Sequence, residues 1–565
     1  MNHAAHATRG PVLARTLGLV RAERGDLAVA VVYSLAIGLL SLALPVTIQA
    51  LVNTVGFGSV LQPIVVLTVL VSGALLGSAA LTILRFMVLE RMQRRIFARH
   101  ASEVLDSLLR YRLDAMDGRH APELVNRFLD VTTVQKSASI LVVDGLTVLM
   151  QTLAGVCLLA AYHPYLLVFD LVLVAAIALI LFGLGRGAVR TSIEESRAKY
   201  GVVAWLQEVS RHGVALRSPA GSRLAVQRAN ELVTGYLDNR ARHFRILLRQ
   251  VAGTQVLQAI ALASLLGVGG YLVISGELTL GQLVAAELVV SVAVGSFAKF
   301  GKSLETFYDL QAALDKLEHL TGLPLERTTG EAALDAAGPA AATVSSLTFA
   351  YDERRPVLRE ASLAAPAGSR IAVHGRGAAG KSTLLDLLLG LREPGAGRLE
   401  LDGIDYRHLR LDEIRKHAML LRGTEIFPGT VFENVAMGST AATAHDVRTA
   451  LGQAGILEAA NALPQGLQTR LTTSGRPLSP SLAMRLTFAR AFLQRPRLLL
   501  VDEALDGIDG LRVEGELVRT LFDRNAPWTL IVATEREELW PFCDRVYHLR
   551  GGSLEHDAPQ PAPSR

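Results

Sequence analysis

Six apolar runs, each almost free of charge, dominate the first half of the chain: residues 28–52, 63–83, 140–161, 165–184, 256–274 and 280–297. Each is long enough to cross the hydrocarbon core of a bilayer as a helix, which takes about 20 residues. The connectors between them alternate in character. Those around Gly56, His163 and Gly276 are short and hold no Lys or Arg, whereas residues 85–136 and 186–249 are long and rich in both. Basic residues stay on the cytoplasmic side, so the long connectors and both termini are expected there. Within the connectors apolar positions recur at spacings of three and four, as in RRIFARHASEVLDSLLRYRL, so the spanning helices are expected to continue into the cytosol.

After a further helical pattern, LETFYDLQAALDKLEHLTGL, the stretch ERTTGEAALDAAGPAAAT turns to small, turn-prone residues, and a domain boundary is expected near Gly338. Beyond it, strand-like and helix-like segments alternate (RIAVHG, KSTLLDLLLGL, RLLLVDE, TLIVAT), the pattern of a parallel α/β domain. The organisation expected is a cytoplasmic segment at 1–25, a six-span α-helical transmembrane domain at 26–320, a linker at 321–340, an α/β domain at 341–556 and a Pro-rich disordered tail at 557–565.

Composition strengthens the membrane reading: of 565 residues, 50% are hydrophobic and only 19% charged. Lys and Arg number 57 against 52 Asp and Glu, a formal +5. The basic excess lies in connectors beside apolar spans, so the expected partner is the lipid bilayer and not nucleic acid. Cys157 and Cys543 offer neither a disulfide framework nor metal-ligand spacing. Arg9, Arg15, Arg21 and Arg24 precede the first span without a compact apolar core and cleavage site, so no removable signal peptide is expected. Acids inside spans are expensive, and Asp144, Asp170 and Glu287 have two readings: they favour a cationic cargo, or they lie near helix ends or pair with Arg or Lys across the bundle.

Candidate chemistry begins at GRGAAGKST, Gly375 to Thr383, which fits G-x-x-x-x-G-K-[ST] between a strand-like and a helix-like segment. Gly375, Gly377 and Gly380 let the backbone wrap phosphate, and Lys381 reaches the β- and γ-phosphates of a nucleotide. Ser382 can ligate Mg²⁺, and Thr383 completes the motif. Leu498 to Val501 followed by Asp502 and Glu503 read as a buried strand ending in two carboxylates, the first placed to orient Mg²⁺ and the second to polarise an attacking water.

With these motifs the chain resembles an ATP-binding cassette (ABC) exporter half-transporter of the type I exporter fold, and more narrowly the transporters of type 1 secretion systems. The resemblance covers nearly the whole sequence. It implies ATP and Mg²⁺ as cofactors, a multi-pass protein of the inner (cytoplasmic) membrane, and pairing with a second half-transporter as homo- or heterodimer. It leaves room for a periplasmic adaptor protein. It also implies coupling helices near residues 116–127 and 204–217. By position, Tyr351 falls where an aromatic stacks on adenine, although a strand-edge tyrosine has its own packing reasons. Asp509 matches the aspartate of the loop that crosses to the partner.

Several positions depart from the family pattern. The glutamine expected between the two subdomains is Arg422, and an expected acid is Thr473. Leu-Ser-Gly-Gly-Gln becomes Leu478-Ser479-Pro480-Ser481-Leu482, in which Ser479 and Pro480 still suit a helix start but Pro480 lacks an N–H. The switch histidine becomes Thr534. Residues expected to bind Mg-nucleotide survive, and those that sense γ-phosphate are altered. The expectation is therefore an ATP-dependent exporter half with weakened hydrolysis at its own site, catalysed through Lys381 and Glu503. The alternative is a nucleotide-gated structural or regulatory membrane subunit that binds ATP without a pumping cycle.

Overall fold

A computed structural model describes residues 18, 21–56, 61–117, 125–298, 300–334, 337–352 and 355–556. The expected tail at 557–565, most of the N-terminal segment, and residues 118–124 of the first expected coupling region lie outside the described residues. The chain divides into two compact units. Residues 1–110 and 118–323 form the first; residues 111–117 and 324–565 form the second.

The first unit is helical. Its long members are Arg24–Ser41, Ala43–Gly56, Leu61–Arg110, Leu146–Tyr162, Pro164–Ala178, Ala188–Arg211, Pro219–Ile274, Leu280–Ala298 and Phe300–Thr321. Among the described residues, five helical stretches are long and apolar enough to cross a membrane: Arg24–Thr54, Gln62–Arg110, Arg127–Tyr162, Pro164–Leu184 and Pro219–Ile274. The sixth expected span falls on Leu280–Ala298, of which Leu280–Val292 is an apolar helix of shorter described length. Pro219–Ile274 has 56 residues; at 1.5 Å per residue it is about 84 Å long, far more than the roughly 30 Å of hydrocarbon it must cross. Bilayer helices therefore run on unbroken into the long connectors, as their spacing predicts. Leu76 and Phe182 are 72% and 78% exposed, a surface that suits lipid as solvent.

Tight turns are set by capping. At His163 the ring nitrogen Nδ1 accepts from Tyr165 N at 3.2 Å ahead of Pro164, and Ser218 caps the helix beginning at Pro219. Outside the apolar runs polar side chains pair between helices: Arg99 reaches buried Glu23 at 2.6 Å, and Asp130 holds both Tyr200 (2.6 Å) and Lys316 (3.0 Å). Asp170 is buried beside Leu166, Leu173 and Ile177, and its Oδ2 has no hydrogen-bond partner among the described residues. Glu287 is half-buried.

Among the described residues the second unit contains twelve strands: β1 Ala342–Ala350, β2 Pro356–Ala365, β3 Arg370–His374, β4 Ala396–Leu401, β5 Ile404–Asp405, β6 Ala418–Arg422, β7 Gly429–Thr430, β8 Arg470–Leu471, β9 Leu498–Asp502, β10 Thr529–Ala533, β11 Arg545–Arg550 and β12 Ser553–His556. They form an antiparallel sheet in the order β2-β1-β4-β5, a six-stranded sheet in the order β12-β11-β3-β10-β9-β6, and the short pair β7-β8. In the six-stranded sheet every pairing except β11 with β12 is parallel. Between their terminal residues its inner strands β3, β9 and β10 are apolar, as strands covered on both faces must be. The register places Arg422 opposite Asp502, and Ala533 opposite both Asp502 and Val373. The carboxyl ends of β6, β9, β10 and β3 thus form one row, the edge at which parallel sheets hold ligands.

Candidate functional site

From β3 the chain enters the loop 375–380 and then the helix Lys381–Leu388. Two loop residues adopt left-handed backbone conformations, Ala378 at φ 62° and Gly380 at φ 107°. Gly380 is required there, because a Cβ would also sit 3.1 Å from Val357 Cγ1. Gly377 is in open space, and a Cβ on Gly375 would press on Ala379 and on the Leu549 carbonyl. Lys381 is buried. Its Nζ donates to the Gly375 carbonyl and lies 3.0 Å from Glu503 Oε1 and 3.7 Å from Glu535 Oε1. Glu503 itself has φ 52°, a strained conformation for a residue with a side chain.

The row of strand ends brings a cation onto the acids. Arg422 Nε donates to Asp502 Oδ2 at 2.5 Å, its Nη1 lies 2.8 Å from Asp386 Oδ1, and its Nη2 donates to the Ser382 carbonyl at 3.1 Å. Burial would lower the pKa of this guanidinium, but Asp386 and Asp502 outweigh it and hold the group above its ordinary value. Asp386 also takes Arg392 Nε at 3.4 Å. Arg392 forms a two-pronged pair with Asp117, both contacts at 2.8 Å, and its guanidinium carbon lies 4.6 Å from the Tyr351 ring centroid. Tyr351 stands edge-on to Phe349 and shares a 2.9 Å hydrogen bond with Thr383 Oγ1. One ionic chain therefore runs from Tyr351 through Arg392, Asp386 and Arg422 to Asp502.

Of the two residues expected to face Mg²⁺, Asp502 is found with a guanidinium already on Oδ2, and the same guanidinium holds the main-chain carbonyl of Ser382, not its hydroxyl. Asp502 Oδ1 is buried without a partner among the described residues, but the other oxygen is committed to Arg422. As placed, this donor set does not fit a dication, which would share Asp502 with a fixed positive charge.

Thr534 is fully buried, and its Oγ1 donates to Asp506 Oδ1 at 2.5 Å. It is turned into the loop after β9. Ser479 caps the helix Pro480–Gln494, with its Oγ accepting from Leu482 N at 3.4 Å, and Pro480 occupies the first helical position. Asp509 and Thr473 are exposed. Among the described residues neither Ser479 nor Asp509 bonds to a phosphate-loop side chain. Asp386, Arg392, Asp506 and Glu535 escaped the sequence reading. Asp386 alone had a signal, lying four residues after Ser382 on the same helical face.

The ABC transporter family profile matches residues 358–506, and the ABC transporter transmembrane region profile matches residues 27–297. The chain belongs to the ABC transporters. It is similar to the fatty acid ABC transporter ATP-binding/permease protein of Mycobacterium bovis, 27% identical over 82% of this chain and 73% of that protein. It is likewise similar to the mitochondrial ATP-binding cassette sub-family B member 10 of Mus musculus, 26% identical over 90% of this chain and 73% of that one. In fold it matches a bacterial Atm1-family ABC exporter solved with ATP bound, with a TM-score of 0.83 and 20% identity over 94% of this chain and 95% of that one. This ABC exporter half-transporter is therefore a multi-pass membrane protein with the type I exporter fold. Its second unit is an ATP-binding cassette, which makes its activity class that of an ATPase and translocase.

Proposed function

We propose that this half-transporter works as one half of a dimeric exporter in the inner membrane, with its nucleotide unit in the cytoplasm, and that it retains ATP better than it hydrolyses it. The phosphate loop, Lys381 and the Tyr351 ring supply the binding elements. Glu503 beside Lys381 is the residue placed to polarise water. The observation that carries the reading is Arg422, whose guanidinium sits on Asp502, Asp386 and the Ser382 carbonyl where the family pattern expects a neutral amide. Thr534, directed at Asp506, removes a second polar contact from the phosphate side. Losing one positioned donor costs about 10² to 10³ in rate. Mg²⁺ held through Ser382 and Asp502 is not part of this reading.

The test is steady-state ATPase activity of the purified, reconstituted chain, with Glu503→Gln as control and nucleotide binding measured alongside. Binding with turnover no greater than the control supports a retained, slowly hydrolysing site that depends on a better-preserved partner half. Turnover abolished by Glu503→Gln, at rates typical of an intact exporter, would overturn it. Because Glu503 is half-exposed and competes for Lys381, Glu503→Gln is also expected to tighten ATP binding by no more than about fivefold.

A further inference from the structure

We infer that Arg422 is a resident cation of the nucleotide site, standing in for the divalent metal, so that this chain binds ATP with an affinity nearly independent of Mg²⁺. The inference rests on the reading of the phosphate loop as an ATP site.

Asp386 and Asp502 are each 4% exposed, and two buried carboxylates beside the phosphate loop would repel a polyphosphate unless neutralised. In a metal-dependent site the dication removes that repulsion. Here Arg422 does so before any ligand arrives. Its planar fork meets both acids and the Ser382 carbonyl at once, which a lysine ammonium cannot match in geometry. It is also pinned from the backbone, because its position at the end of β6 is in register with Asp502 at the end of β9. A metal approaching Asp502 through its unpartnered Oδ1 would stand beside the guanidinium fixed on Oδ2, and clearing that guanidinium would break its contacts to three acceptors together. Arg392, which also touches Asp386, is itself engaged with Asp117 and does not free Asp502.

Binding of mant-ATP by the full reconstituted chain, in excess EDTA and in excess MgCl₂, tests the inference. The wild type is expected to show dissociation constants within about threefold of each other. Arg422→Gln is expected to bind at least tenfold more tightly with Mg²⁺ than with EDTA, a difference of about 1.4 kcal/mol. Arg422→Lys keeps a charge and is expected to stay closer to the wild type. A wild type that gains tenfold or more from Mg²⁺ overturns the inference, even if Arg422→Gln proves too unstable to measure. Binding that is absent in both conditions, or unaffected by Lys381→Ala, instead overturns the assignment of the loop as the ATP site and the inference with it.

Discussion

The phosphate loop allows three single-residue changes whose signs differ for reasons visible in the backbone. Ala378 sits at φ 62°, where an L-residue costs about 1–2 kcal/mol because its Cβ crowds the following carbonyl. Glycine removes that cost but loses about 0.5–1 kcal/mol more backbone entropy on folding. The net expectation for Ala378→Gly is stabilisation by about 0.5–1 kcal/mol, or a rise of about 1–4 °C in the melting temperature of a unit this size. Gly377, whose added Cβ would meet nothing within 4 Å, should accept alanine with a change of at most about 2 °C. Gly380→Ala is the opposite case, combining φ 107° with contacts at 3.1 and 3.2 Å to Val357 and Leu358. Strain and overpacking together cost about 2–4 kcal/mol and lower the transition by at least about 4 °C. The assay is tryptophan fluorescence on heating in a Trp205→Phe background, so that the signal comes from Trp528 and Trp540 in the second unit. A lowered transition for Ala378→Gly together with an unchanged one for Gly380→Ala would refute the reasoning.

Restoring the switch residue alone should fail. Thr534 is 0% exposed and directed at Asp506, so Thr534→His forces a larger ring into a filled site at a cost of about 1–3 kcal/mol. Turnover is expected to stay within about twofold of the wild type while Arg422 remains in place, and a tenfold gain in ATPase rate would contradict this. In the Arg392 cluster, Arg392→Ala removes contacts to Asp117, Asp386 and Tyr351 together and should destabilise the second unit by about 1–3 kcal/mol in urea unfolding. Asp117→Asn, at a position 44% exposed, should cost less than about 1 kcal/mol. Equal losses from the two would show that Arg392 acts through Asp117 alone.

What could be read from the sequence was whatever is written locally. Charge-free runs of bilayer length marked the spans, and their continuation at helical spacing announced helices such as Leu61–Arg110 that extend past the bilayer. The phosphate loop was equally legible, since its glycines, Lys381 and the flanking strand and helix are contiguous. Strand pairing was not. The alternation after Gly338 indicated a parallel α/β domain but did not reveal that β1, β2, β4 and β5 form a separate antiparallel sheet. Nothing in an apolar run of five or six residues tells which partner it will find. Likewise, Arg422 could be placed at the glutamine position by counting, but its ion pair with Asp502, 80 residues away, follows only from the β6–β9 register.

That register also changes what the departures from the family pattern mean. Read along the chain they look like independent losses, but in the folded unit two of them have an answering residue. Arg422 is answered by Asp386 and Asp502 and Thr534 by Asp506, while the retained Lys381 faces Glu503 and Glu535. A site decaying without constraint would leave buried charges unpaired, at several kcal/mol for each. This one keeps Lys381 and Asp502 buried and paired. Because groups in one network respond non-additively, reverting one altered position should cost stability without returning the activity that the other still suppresses. Full hydrolysis at this site would require Arg422 and Thr534 to change together, leaving Asp502 free for the nucleotide.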